Sequence, residues 1–340
     1  MACDHADFRP RLIVKRRFFQ CPRHDAPHRT GRIHPNRRIP RPFGECPMHI
    51  DPARIFKPAA PRFTVVLDAE VIYDDAAHAR YQAAERFDPT DARPMPPRKA
   101  AKDPRITPRW PCQRITALSW LVMSDGVDGL RPLRLETASR PEQTEADIIR
   151  TFFRDMESLK AVELVTWGGH HSDLPQILLA AMVAGIPLPS NLVGLAYPWR
   201  REASGHIDLS SRVTGGADAV HLAEVAAALN IPAKLTCRPD LVSQLMGQGK
   251  WSGVRSVVEG DVMTTALILM LWRHLSGETM SRLEAVRRLT HFIAHNCAHR
   301  PYAADWVRFG EAELDAAFAA ESAKVAHLAP HFRSEVQISA

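Results

Sequence analysis

Apolar and polar positions first fall into a sustained pattern at Phe63. The stretch FTVVLDAEVIYDD opens with a β-branched apolar run and closes in acids, which predicts a buried strand ending at the surface. RITALSWLVM (114–123) and LRPLRLET (130–137) predict two more strands, with Asp125, Gly126, Asp128 and Gly129 turning the chain between them. An acidic start, Pro141-Glu142-Gln143-Thr144-Glu145, leads into an amphipathic helix running to about residue 159. ELVTWGG (163–169) reads as another buried strand with a Gly-rich break. Asp173-Leu174-Pro175 then opens a helix stopped by Gly185 and Pro187. HIDLSSRV (206–213) is a short extended or turn segment, and residues 220–229 form a helix ended by Asn230-Ile231-Pro232. Residues 254–275 are the strongest helical stretch, with Gly277 just beyond. The remainder, 278–340, reads as mostly helical, broken at Pro301. Three strands, a helix, a strand and then helices make an α/β domain.

Two segments break the pattern. Residues 74–111 are polar and carry seven prolines, predicting a loop or lid longer than compact domains usually keep without a purpose. Residues 1–47 are rich in Arg, His and Pro and show no periodicity. They read as a disordered or mis-called extension, with Met48 as an alternative start, or as a basic arm for phosphates. A transit peptide fits less well, because seven prolines in this head oppose an amphipathic helix.

Composition narrows the class without choosing a function. Across 340 residues, 45% are hydrophobic and 24% charged, which excludes disordered and fibrous chains. The net charge of +6 suggests a polyanion partner until its distribution is considered. The head alone carries +7 and the rest −1, so the folded body is near neutral. No apolar run approaches the ~20 residues of a membrane span, so a soluble protein with no membrane partner is expected. Six scattered cysteines lack metal-site spacing and predict free thiols in a reducing, cytoplasmic setting.

The chemistry-bearing residues are carboxylates. Asp68 and Glu70 are two apart on a strand and so point to one side, where they repel unless a cation joins them. Mg²⁺ and Mn²⁺ prefer such oxygen ligands. The competing reading is an exposed pair beside the next loop. Asp173 is either a third ligand or a helix N-cap. Asp261, in the long apolar helix, is a fourth candidate or part of a solvated face. Trp120, Trp167 and Trp272 lie in apolar segments and read as core. Gly247-Gln248-Gly249-Lys250 lacks the spacing and the preceding strand of a phosphate loop.

The stretches VVLDAEV, LVTWGGHHSDLPQIL, HIDL, LAEVAAALNIPAK and VEGDVMTTALILMLW, spanning roughly residues 63–276, resemble the DEDD superfamily of 3′-5′ exonucleases. Within it the chain is similar to the predicted exonucleases related to the proofreading domain of family B DNA polymerases. The resemblance implies a ribonuclease H-like fold: a mixed β-sheet flanked by helices over residues 48–276, with a mostly helical C-terminal extension over 277–340. It implies that Asp68, Glu70, Asp173 and Asp261 are the catalytic, metal-binding carboxylates. It also implies two ions, Mg²⁺ or Mn²⁺, hydrolysing phosphodiester bonds at the 3′ end of single-stranded nucleic acid, with DNA expected ahead of RNA. Asp208, His171 and Lys250 are candidate substrate-binding residues, and Lys234 and Arg255 candidate backbone contacts. Relatives carry a Tyr four residues before the last Asp, or a His five before it, to orient the attacking water. Here Val257 and Ser256 stand at those places. That departure keeps an alternative open: a catalytically weakened exonuclease fold acting as a nucleic-acid-binding module.

Overall fold

The computed structural model describes residues 62–90, 95–197, 205–238 and 241–328. All of these fall within one compact unit, Pro58–Ala340. The expected N-terminal extension, 1–47, lies outside the described residues.

Among the described residues, five strands form one sheet: β1 (Arg62–Tyr73), β2 (Gln113–Gly126), β3 (Gly129–Ser139), β4 (Val162–Thr166) and β5 (His206–Asp208). Their order is β3-β2-β1-β4-β5, with β1 in the middle. β1 and β3 run antiparallel to β2, while β4 lies parallel to both β1 and β5. Gly126 faces Gly129 across the two-residue β2–β3 turn, and Gly129 holds φ +86°, a conformation open to glycine. Helices cover both faces, so the sheet is the mixed, helix-flanked α/β arrangement that the sequence resemblance implies.

Alternation along the strands sorts the core into two sides. Val65 and Leu67 of β1, with Leu118, Trp120 and Val122 of β2, pack against α3 (Glu145–Glu157) and α4 (Asp173–Ala184). The α3 helix starts at a Thr144–Asp147 capping box and buries Ile148, Ile149, Phe152, Phe153 and Met156 as one stripe. Val66 of β1, with Leu121 and Met123 of β2, faces the other way, onto α8 (Trp251–Leu275). That long helix is buried along nearly its whole length, because α9 (Arg282–Asn296) and the start of α10 (Ala303–Leu328) cover its outer face. Among the described residues, no helix is long and apolar enough to cross a membrane.

The segment expected as a loop, 74–111, contains α1 (Asp75–Ala84), the short helix α2 (Pro97–Ala100) and a 3₁₀ turn at Trp110–Cys112. Asp74 caps α1 by accepting the Ala77 N–H at 3.0 Å, and the alanine-rich sequence DAAHARYQAA has high helix propensity. It buries only His78, so no apolar stripe marks it in the sequence.

A candidate metal centre at the end of the central strand

Asp68 and Glu70 continue the parity of Val66, so both side chains leave β1 on the side that faces α8. A β-bulge between Glu70 and Val71 ends the regular register just past the pair. On α8, Asp261 looks back at them. One ligand oxygen from each of Asp68, Glu70 and Asp261 lies within 4.8 Å of the others. Two of these groups come from adjacent same-side positions of a strand, and the third from a helix almost 200 residues later.

Asp173, the first residue of α4, is buried and enters the same electrostatic field without belonging to that three-oxygen group. The chain reaches it through Gly168, at φ +72°, and Gly169. A Cβ on Gly169 would stand 2.6 Å from an Asp173 carboxylate oxygen and 2.6 Å from Thr166 Cβ, so the backbone can pass this closely only as glycine. The Ser172 hydroxyl donates to Asp173 at 3.2 Å.

The electrostatics match a cluster built for positive charge. Burial, then repulsion from Asp173, Asp261 and Glu70, pushes Asp68 well above the usual carboxylate range. Glu70 is pushed up to about 7, by burial first and then by Asp261, with Lys234 opposing. Asp173 is also pushed up to about 7, by burial first, against the Ser172 hydrogen bond, and then by Asp208 and Asp261. Burial raises Asp261 too, with Lys234 pulling it back.

Lys234 is one of the candidate backbone contacts; in the fold its ammonium is ion-paired to Asp261. Its own backbone sits at φ +51°, an uncommon conformation for a lysine. Even so, Asp261 is only 5% exposed and its Oδ1 has no hydrogen-bond partner among the described residues. An orphaned buried oxygen beside two more carboxylates is an all-oxygen donor set of the kind that hard divalent cations take. The residues present therefore fit such an ion.

The other sequence candidates fall around this centre in different ways. Asp208 accepts the N–H groups of Gly168 (3.0 Å), His170 (3.1 Å) and Ser211 (3.2 Å). It thereby pins the glycine break and caps α5 (Leu209–Thr214). His171 is exposed, its ring centroid 4.9 Å from that of His170, and neither joins the carboxylate group. Lys250 is exposed at the start of α8. Arg255 pairs with Glu142 at 3.1 Å. Val257 is 3% exposed and lines a narrow cleft with Lys234, Asp261, Tyr302 and Trp306. Ser256 is equally buried, and its hydroxyl donates to the Ser252 carbonyl at 3.0 Å. Glu259, passed over in the sequence, is fully buried two residues before Asp261 on α8. The only hint of it there is an acid inside an apolar run.

A family model described as a predicted 3′-5′ exonuclease related to the exonuclease domain of PolB matches residues 108–309. That stretch contains Asp173 and Asp261, while Asp68 and Glu70 precede it. Among solved structures, the family B DNA polymerase from the hyperthermophilic archaeon Pyrobaculum calidifontis is similar at 15% identity, with a TM-score of 0.35. The match covers 67% of this chain and 29% of the polymerase, so the chain spans less than a third of that protein's length. No curated protein matches.

Proposed function

Because the chain belongs to the family of predicted 3′-5′ exonucleases related to the exonuclease domain of PolB, we propose that it is a metal-dependent exonuclease. In this reading it hydrolyses phosphodiester bonds at the 3′ end of single-stranded nucleic acid, DNA ahead of RNA, by a two-metal-ion mechanism. The observation that carries the reading is the convergence of Asp68, Glu70 and Asp261 within 4.8 Å. These three would hold the ions, Mg²⁺ or Mn²⁺, and Asp173 completes the acidic wall. Two divalent ions supply the charge that activates a water and stabilises the departing 3′ oxygen. The chain's own contribution is placement. The strand fixes two carboxylates on one side, and α8 brings the third. Lys234 offsets one negative charge of the cluster.

Removing the Asp261 carboxylate should abolish the activity. With a 5′-labelled single strand and a 3′-recessed duplex, the protein should produce a ladder of shortened products in Mg²⁺ or Mn²⁺. The ladder should vanish in chelator and in Asp261→Asn. An unchanged ladder from the variant would overturn the assignment.

Val257 and Ser256 favour a second reading, a weakened exonuclease fold that binds nucleic acid. Neither offers a free polar group at the place where relatives orient water, since Ser256 is bonded to its own helix. Strand binding and metal binding with no shortening would select this reading.

A further inference from the structure

The excursion between β1 and β2 carries a cationic stretch that the carboxylate site does not use. Between residues 95 and 112 it holds Arg98, Lys99, Lys102, Arg105 and Arg109 against a single acid, Asp103. Arg105 is taken by Asp103 at 2.7 Å. No described residue forms an ion pair with Arg98, Lys99 or Lys102, and all three are exposed. They are also gathered. Helical hydrogen bonds run from α2 on to the Asp103 N–H, which reaches the Lys99 carbonyl at 3.1 Å. Arg98 and Lys102 therefore share a face. The exposed Arg109 joins them by donating to the Lys102 carbonyl at 3.3 Å.

Next to Arg109 stands Trp110, 39% exposed and alone among the described tryptophans in being exposed. An indole left in water beside a gathered cationic face is what a strand-stacking platform requires. The excursion is a built surface. His78 bonds the Pro104 carbonyl at 2.9 Å, and Gln82 donates to the Arg105 carbonyl at 2.8 Å. It is also tied to the carboxylate end of the molecule. The Trp110–Cys112 turn packs on α4, which opens with Asp173, and the Cys112 carbonyl accepts the Asp74 N–H at 2.9 Å. Gln176 of α4 donates to Gln113 at 2.7 Å. Gln113 pairs with Tyr73, roughly 10 Å along β1 from Glu70 at the strand rise. Residues 95–107 precede the stretch that the family model matches.

We propose that residues 95–112 are a second grip for a single-stranded polynucleotide, with phosphates on Arg98, Lys99, Lys102 and Arg109 and an unstacked base on Trp110. The inference rests on the exonuclease reading for placing the strand's end at the carboxylates. Its test is independent of hydrolysis. Binding of labelled oligothymidylate and oligouridylate to the full chain is measured by fluorescence anisotropy in chelator, across a salt series.

Replacing Arg98, Lys99 and Lys102 together by Ser should reduce the slope of log affinity against log salt by about 2, three charges at the single-strand value. Trp110→Ala should weaken binding roughly 5- to 150-fold, the range for one stacked base. Trp110→Phe should recover most of that loss, which a merely misfolded variant would not. Both oligomers should respond alike, because phosphates and base faces are common to them. Unchanged affinity and slope in the variants, or no strand binding by the unsubstituted protein, would overturn the inference and leave the patch to an acidic protein or to no partner. Binding with these dependences but no nucleotide release in Mg²⁺ would instead sink the exonuclease reading and leave the grip standing.

Discussion

At the scale of single residues, the centre concentrates buried negative charge. Asp68, Glu70 and Asp261 are crowded together, and Lys234 offsets only part of their charge. Burial and mutual repulsion raise the proton affinity of these carboxyls, and this ties stability to pH. Glu70 holds its proton to about 7 in the folded protein, against 4.5 ordinarily, and Asp173 to about 7 against 3.8. Between these values the folded chain keeps protons that the unfolded chain has lost. Stability from these groups is therefore lost as pH rises, and the loss is complete above about 7. His206 acts in the opposite sense: burial holds its imidazole down to about 4 from 6.5, so stability falls as pH drops through that window. Comparing Glu70→Gln with the unsubstituted protein cancels the histidine, which both contain. In chelator, the melting temperature of Glu70→Gln should gain on that of the parent between about pH 5 and pH 8. A difference independent of pH would contradict the cluster. Saturating Mg²⁺ should shift the ranking back toward the parent, which has one more ligand to offer.

At the scale of elements, the centre depends on how α8 is rotated. Glu259 and Asp261 are two residues apart, about 200° around a helix, so holding one aims the other. Glu259 is 0% exposed and accepts from Thr137 of β3 at 2.8 Å, from Tyr302 at 3.0 Å and from Arg300 at 2.8 Å. Burial raises its carboxyl, and Arg300 is the first opposing influence. At the other end of the helix, Arg273 pairs with Asp125 (2.9 Å) and Glu163 (3.1 Å), fixing α8 against β2 and β4. Arg300→Met should leave a buried carboxylate without its cation and cost about 3 kcal/mol, the low end for a broken buried pair because Arg300 is partly exposed. Urea unfolding measures that loss. The same variant should weaken Mg²⁺ binding by calorimetry if the network aims Asp261; full metal affinity alongside lost stability would reduce Glu259 to a core contact.

At the scale of the whole molecule, the C-terminal helices belong to the packing that supports the site. Met280, Val286, Leu289, Ile293, Tyr302 and Trp306 occupy the same apolar cluster as Val66 and Leu121 of the sheet. Ending the chain at residue 276 would expose that face of α8, including the side opposite Asp261. Such a truncation should not give a cooperatively unfolding protein. A sharp, two-state melt from it would show that the sheet and α8 suffice. Charge at this scale is uneven: residues 1–47 carry +7 and the remainder −1. The cationic face at 95–112 is thus a local feature of a nearly neutral body.

Much of this arrangement is local and therefore legible in the residues themselves. Strand alternation puts Asp68 and Glu70 on one side with Val66, and two glycines must precede Asp173 for the chain to turn past it. The order of strands and helices marks the fold class. The mostly apolar run at residues 262–272 predicts a buried helix, and α8 is buried on both sides. Helix α1 escapes notice because it has almost no apolar stripe for periodicity to reveal. What periodicity and spacing could not decide is which distant groups meet. Asp261 completes a three-oxygen group, Asp173 shares its field from outside that group, and Lys234 sits on Asp261. Glu259 finds Arg300 and Tyr302 more than forty positions away. Each of these outcomes turns on a few ångströms between segments far apart in the chain. Only the packing of α8 between the sheet and the C-terminal helices sets those distances, because no local preference constrains them.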